Sequence, residues 1–209
     1  MMQRTNRRIT ARLTAWLIPT LLFAFLAVSP AQDRELVLDF NPATTVVDFT
    51  LGDVIHTVHG GFNLKHGVIH FNPETSSVSG DVVIDSSSGH SGNNTRDRKM
   101  HREVLESDRF PEITFRPDHV AGKLATQGNS TVQVHGLFGI HGTEHEITVP
   151  VQVEMAQDHW TATAHFVVPY VKWGMKNPST FILRVSESVE INLHASGASP
   201  WANSLPGNH

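Results

Sequence analysis

At 209 residues, with no cysteine and 20 acidic against 16 basic side chains, the chain suits one ordinary domain and excludes disulfides, thiolate metal sites and a cysteine nucleophile. Four arginines stand in the first dozen residues. Beyond them twelve basic side chains face twenty acidic ones, a net charge of about −8 with histidines neutral, which suits neither nucleic acid nor an anionic membrane surface, since both reward clustered Lys and Arg.

The chain opens with Arg4, Arg7, Arg8 and Arg12, an apolar run from Leu13 to Val28, and the small residues of Ser29-Pro30-Ala31. This order is that of a secretory signal. The run falls short of the ~18 to 20 apolar residues that a spanning helix needs. Residues 1–31 are therefore read as a cleaved signal peptide, delivering the protein to the periplasm or outside the cell. Without cysteine there is no lipoprotein anchor, so no stable membrane anchor is expected.

The mature part reads as short apolar/polar alternations, the mark of half-buried strands. Glu35 to Phe40 and Thr45 to Leu51 come first, separated by Asn41-Pro42-Ala43. His56 to Leu64 follows, with Gly60-Gly61 as a bend, then a turn at Lys65-His66-Gly67 and a strand from Val68 to Phe71. Val78 to Asp85 is the next strand, ahead of a polar loop from Ser86 to Asn93. Asn94, with Asp97 three residues on, looks like a helix start. Met100 and Val104 lie one turn apart on it, and Arg102 is spaced to pair with Glu106. The helix stops before Pro111, and strands return at Ile113 to Phe115, Thr131 to Ile140, Ile147 to Met155, Trp160 to Tyr170 and Phe181 to Leu193.

Eight to ten strands, one helix and no βαβ rhythm predict an all-β fold, an antiparallel β-barrel of about eight strands, with a β-sandwich as runner-up. A barrel of this size either fills with side chains or holds one small apolar ligand. The domain is read as 32–196, followed by a loose tail, 197–209, rich in Ser, Pro, Gly and Asn.

Six segments in order carry a resemblance to a known family. They are TVHGGF at Thr57 to Phe62, Gly67 to Phe71, Val82 to Ser88, Arg96-Asp97, RFPEITF at Arg109 to Phe115, and VHGLFGIHGTEHEI at Val134 to Ile147. Together they resemble the YceI-like family of exported, lipocalin-like, polyisoprenoid-binding barrels, over about Val46 to Leu193. The chain departs from it at Leu137-Phe138-Gly139-Ile140, where a Leu-Thr-Ile core is usual, and in the loop Lys172 to Ser179. The resemblance implies a non-enzymatic carrier that sequesters an amphiphilic molecule, such as a polyprenyl lipid or a quinone-like compound, with no cofactor. Self-association into a homodimer is compatible with it.

The wall residues expected to meet such a ligand are Val58, Phe62, Phe71, Val82, Phe115, Val134, Phe138, Trp160, Phe166 and Phe181, with Met100 and Val104 as a lid. Arg96 is the head-group candidate, because a guanidinium matches phosphate with two parallel hydrogen bonds. Each of these also has a plain structural reading, as core packing or, for Arg96, an ion pair with Asp97. A barrel with a filled core, serving as a stress-response interaction protein, is the corresponding alternative function.

Fourteen histidines raise metal or haem binding as another alternative. The spacing is poor for it: His66 and His70 would lie about 13 Å apart along a strand. Only His141 and His145 could meet across a hairpin, and two imidazoles fall short of a full site. A hydrolase reading of Asp85, Ser86, Ser87, Ser88 and His90 fails for want of a turn that strains and exposes a nucleophile; such clusters usually make turns.

Overall fold

The computed structural model describes residues 35–52, 57–180 and 184–199. The signal-peptide reading, Phe181 and residues 200–209 lie outside them. Nine strands form the body: β1 (Leu36–Asp39), β2 (Val46–Gly52), β3 (Thr57–Asn72), β4 (Ser77–His90), β5 (Glu112–Ala121), β6 (Gly128–Ile140), β7 (Thr143–Met155), β8 (His159–Val168) and β9 (Val189–Ala198). Between β4 and β5 lie one helical turn and a half, α1 (Asn94–Lys99), and a π-helical segment, Met100–Leu105.

Every pairing is antiparallel, and β2 to β9 close into an eight-stranded barrel because β2 pairs with both β3 and β9. β3 holds the ring together. One of its edges carries β2 against Thr57 to Phe62 and β1 against Val68 to Phe71, while the other carries β4. Closure gives the edges of the ring strands a partner, and it sets aside the sandwich.

Two stretches expected to leave the sheet stay in it. Lys65-His66-Gly67 is continuous strand, with register shifts between Gly61 and Asn63 and between Leu64 and His66. A Cβ on Gly67 would lie 3.1 Å from Phe40 Cβ, so this glycine serves close packing instead of a turn. β4 likewise runs on through Ser86, Ser87 and Ser88 to His90. Ser86 N–H donates to the Pro111 carbonyl, and the Ser87 N–H and hydroxyl both donate to Asp85 Oδ1. The Ser/Asp cluster is thus satisfied locally, as short polar side chains commonly are.

The helix starts one residue earlier than read from the sequence. Asn93 is the N-cap, its Oδ1 accepting from Thr95 N and Arg96 N at 3.0 and 3.1 Å. The expected Arg102–Glu106 pair does not form. The π-helical segment changes the spacing, and Glu106, left-handed at φ +46°, turns to Arg109 and His141. At the far end β9 passes the expected boundary at Ser196: Gly197 pairs with Trp160 and Ala198 with His159.

Register sorts the two barrel ends. The β7–β8 turn, the β3–β4 turn and β1 lie at one; α1, the π-helical segment, the β6–β7 hairpin and residues 169–180 and 184–188 lie at the other. The first end carries buried aromatic packing. Trp160 is fully buried, with its ring 5.2 Å from that of Phe40 in an edge-on contact, a geometry favoured by aromatic quadrupoles.

Candidate functional site

Strand alternation brings Val47, Phe49 and Leu51 of β2, Val132, Val134, Phe138 and Ile140 of β6, and Val149, Val151 and Val153 of β7 to the inside. They do not meet in the middle. Between them lies a cavity of about 650 Å³, within the range of small-molecule sites and, like them, mostly apolar with a few placed polar groups.

Most of the expected wall residues line this cavity: Val58, Phe62, Phe71, Val82, Met100, Val104, Phe115, Val134, Phe138 and Phe166, with Arg96 at its rim. Trp160 does not. It lies behind Phe40, which lines the cavity in its stead. A fully buried indole on β8 is as well placed for a floor as for a wall, and alternation does not distinguish the two. Phe138, the departure from the usual hairpin core, is held to one side by Phe166 and Trp173, at 6.0 and 5.7 Å between ring centres.

The polar liners gather at the α1 end. They are Ser91, Asn93, Thr95, Arg96 and Lys99, with Thr114 from the start of β5 and Tyr170 and Thr180 from the facing loop. Arg96 Nε donates to Ser91 Oγ at 2.7 Å and its Nη2 to the Ser91 carbonyl at 2.8 Å. The same serine donates through its N–H and hydroxyl to Asp97 Oδ1. Arg96 and Asp97 therefore share Ser91, and Arg96 is in none of the ion pairs among the described residues. Lys99 Nζ donates to the Pro178 carbonyl at 2.9 Å, and Lys176 to Glu103 at 2.6 Å. These two bonds tie the helical segment to the loop 169–180. Lys176 also holds the Glu103 carboxyl below its ordinary range.

A second tether fixes the segment to β4. His101 Nε2 donates to the Gly89 carbonyl at 2.8 Å, and its Nδ1 lies 3.0 Å from the Ser107 hydroxyl. Ser107 Oγ in turn lies 3.1 Å from Ser86 Oγ. Ser86 and Ser107 are buried; the network anchors and does not face the cavity. A Cβ on Gly89 would lie 2.5 Å from the Phe62 ring and 2.9 Å from Met100 Cε. Glycine there lets both side chains lie flat across β4.

His141 and His145 do not form a pair. His141 Nε2 contacts Glu106 at 3.3 Å, whereas His145 stacks on Trp173, rings 4.2 Å apart and 3° from parallel. Burial lowers the pKa of His145, and its Nε2 has no hydrogen-bond partner among the described residues. No group of three or more His, Cys, Asp or Glu able to hold a metal occurs among the described residues.

Sequence reasoning missed Lys99, Tyr170 and the β2 liners Val47, Phe49 and Leu51. The signals were present: Lys99 follows Arg96 by three residues, the spacing of one helix face, and β2 alternates as clearly as β6.

A model of the YceI-like domain matches residues 38–196. Among solved structures, the chain is similar to Burkholderia cenocepacia BcnA, at 18% identity and a TM-score of 0.63, covering 76% of this chain and 99% of that one. It is also similar to a polyisoprenoid binding domain from Saccharophagus degradans, at 13% identity and 0.61, covering 78% and 98%. The Campylobacter jejuni YCEI protein gives 18% and 0.58, with 69% and 86% covered. At these identities the structures speak for the fold. No curated protein matches the chain.

Proposed function

The chain belongs to the YceI-like domain family, and we propose that its barrel takes up one amphiphilic or polyprenyl-like molecule and holds it without transforming it. The observation that carries this is the cavity of about 650 Å³, walled by Phe, Val, Leu and Ile and polar only at one end. The polyisoprenoid binding domain of Saccharophagus degradans, with the same fold, supports the class of ligand. Each CH₂ taken from water into such a cavity gains about 0.8 kcal/mol. A prenyl tail in a bilayer is already out of water, so the protein can only compete with the membrane. A carrier or buffer fits that balance. The leader-like N-terminus supports work outside the cytoplasm, and no helix among the described residues is long and apolar enough to cross a membrane.

The test is native mass spectrometry of the protein purified from its own source, followed by organic extraction and lipid analysis. One bound amphiphile per chain is expected. A clean apo mass that does not change on incubation with prenyl lipids would overturn the reading and leave the barrel as an interaction scaffold.

A further inference from the structure

We propose that the ligand's head group is a phosphate, seated between Arg96 and Lys99 at the α1 end of the barrel. This rests on the cavity-binding reading above and adds the chemistry of the head. The charges at the cavity surface argue for it. Apart from the Tyr170 phenol, Arg96 and Lys99 are the ionisable side chains among the described lining residues, and none of those residues is a carboxylate. That is the reverse of the chain as a whole, in which acidic residues outnumber basic ones.

The two neighbouring carboxylates are already engaged. Asp97 accepts from Ser91, and Glu103, close enough for Lys99 to lower its pKa, accepts from Lys176. Neither cation is consumed by its present bonds. Arg96 has five N–H groups and spends two on Ser91, and Lys99 has three and spends one on Pro178. Ser91 holds the guanidinium from one side, so its orientation is set before a ligand arrives. Two cations suit a phosphate monoester, which carries a charge of about −1.5 to −2 at neutral pH. The fork of Arg96 adds paired hydrogen bonds that a neutral alcohol cannot use fully.

Matched tails test this. Geranylgeranyl monophosphate and geranylgeraniol are titrated into the purified full chain at low salt, with displacement of an apolar fluorescent reporter as the readout. The phosphate is expected to bind at least about tenfold more tightly. In an Arg96→Gln, Lys99→Gln double variant the ratio of the two affinities should fall towards one, with far-ultraviolet circular dichroism checking that the strands are intact. Raising the salt should narrow the wild-type ratio, and this arm needs no variant. Equal affinities in the wild type, or a preference that survives in the double variant, would overturn the phosphate seat while leaving the cavity reading in place. If neither probe displaces the reporter, the cavity reading fails and takes the head-group inference with it.

Discussion

Tyr170 is the single tyrosine of the chain, and its buried hydroxyl donates to the Ser186 carbonyl at 2.6 Å. Burial, helped by Glu187, pushes its pKa up to about 12. The unfolded chain would lose that proton near 10, so between these values the folded state binds more protons than the unfolded one. Stability present below pH 10 is therefore lost as pH rises towards 12. Phenolate absorbance reports this one residue: the folded protein should titrate near 12 and the urea-unfolded protein near 10. Coincident curves would mean that the phenol is not sealed in the wall. Gly60 offers a second single-residue check. A Cβ there would lie 2.2 Å from the His90 carbonyl oxygen and 2.4 Å from the Phe49 ring. Gly60→Ala should cost about 1 to 3 kcal/mol by overpacking, read from the shift in urea midpoint. The Gly60-Gly61 pair was legible as a bend, and the register does shift just after Gly61. That a phenyl ring from β2 lies across Gly60 was not, because the crowding comes from another strand.

At the scale of elements, the wall and the mouth follow different rules. Period-two alternation predicts which wall side chains point inward, and eight of the expected wall residues do line the cavity. The mouth is assembled from α1, the π-helical segment, the β6–β7 hairpin and the loop carrying Trp173, joined by a few bonds between residues far apart in sequence. His145 gives a pH test of this assembly. Its pKa is lowered by burial, so below about pH 6.5 the unfolded chain takes up a proton that the folded chain resists. The stability due to neutral His145 is full above that pH and lost as pH falls. His135, raised by its hydrogen bond to Asp118, acts in the opposite sense but is half-exposed. His145→Phe keeps an aromatic ring for Trp173, removes the titration and removes the unpartnered Nε2. Its urea midpoint is expected to fall less than that of the wild type between about pH 7.5 and pH 5.5; an identical pH dependence would place the acid sensitivity elsewhere.

For the whole molecule, the central fact is a closed barrel that its own side chains do not fill. The strand count permits either a full or a hollow interior, and β8 shows which way the balance falls. Ala162 and Ala164 point inward, where bulkier residues would have occupied the space. Ala164→Phe should thus reduce the bound amphiphile recovered from the protein, with far-ultraviolet circular dichroism still reporting intact strands. Undiminished recovery would mean that the ligand does not sit against β8.

The amino-acid sequence by itself determined the all-β class, the antiparallel meander and the inward or outward sense of most strand residues. These follow from local periodicity and turn chemistry, which neighbouring residues decide. It also carried the family, through six short segments in order. Only the tertiary structure decided that Trp160 is floor and not wall, that β3 and β4 run unbroken through polar and glycine-rich stretches, and that Arg96 and Lys99 face a cavity with no carboxylate among its described lining residues. Each of these depends on which distant strand or loop arrives opposite a given residue, and on how much volume remains when all have arrived, a quantity of the closed barrel that no single strand contains.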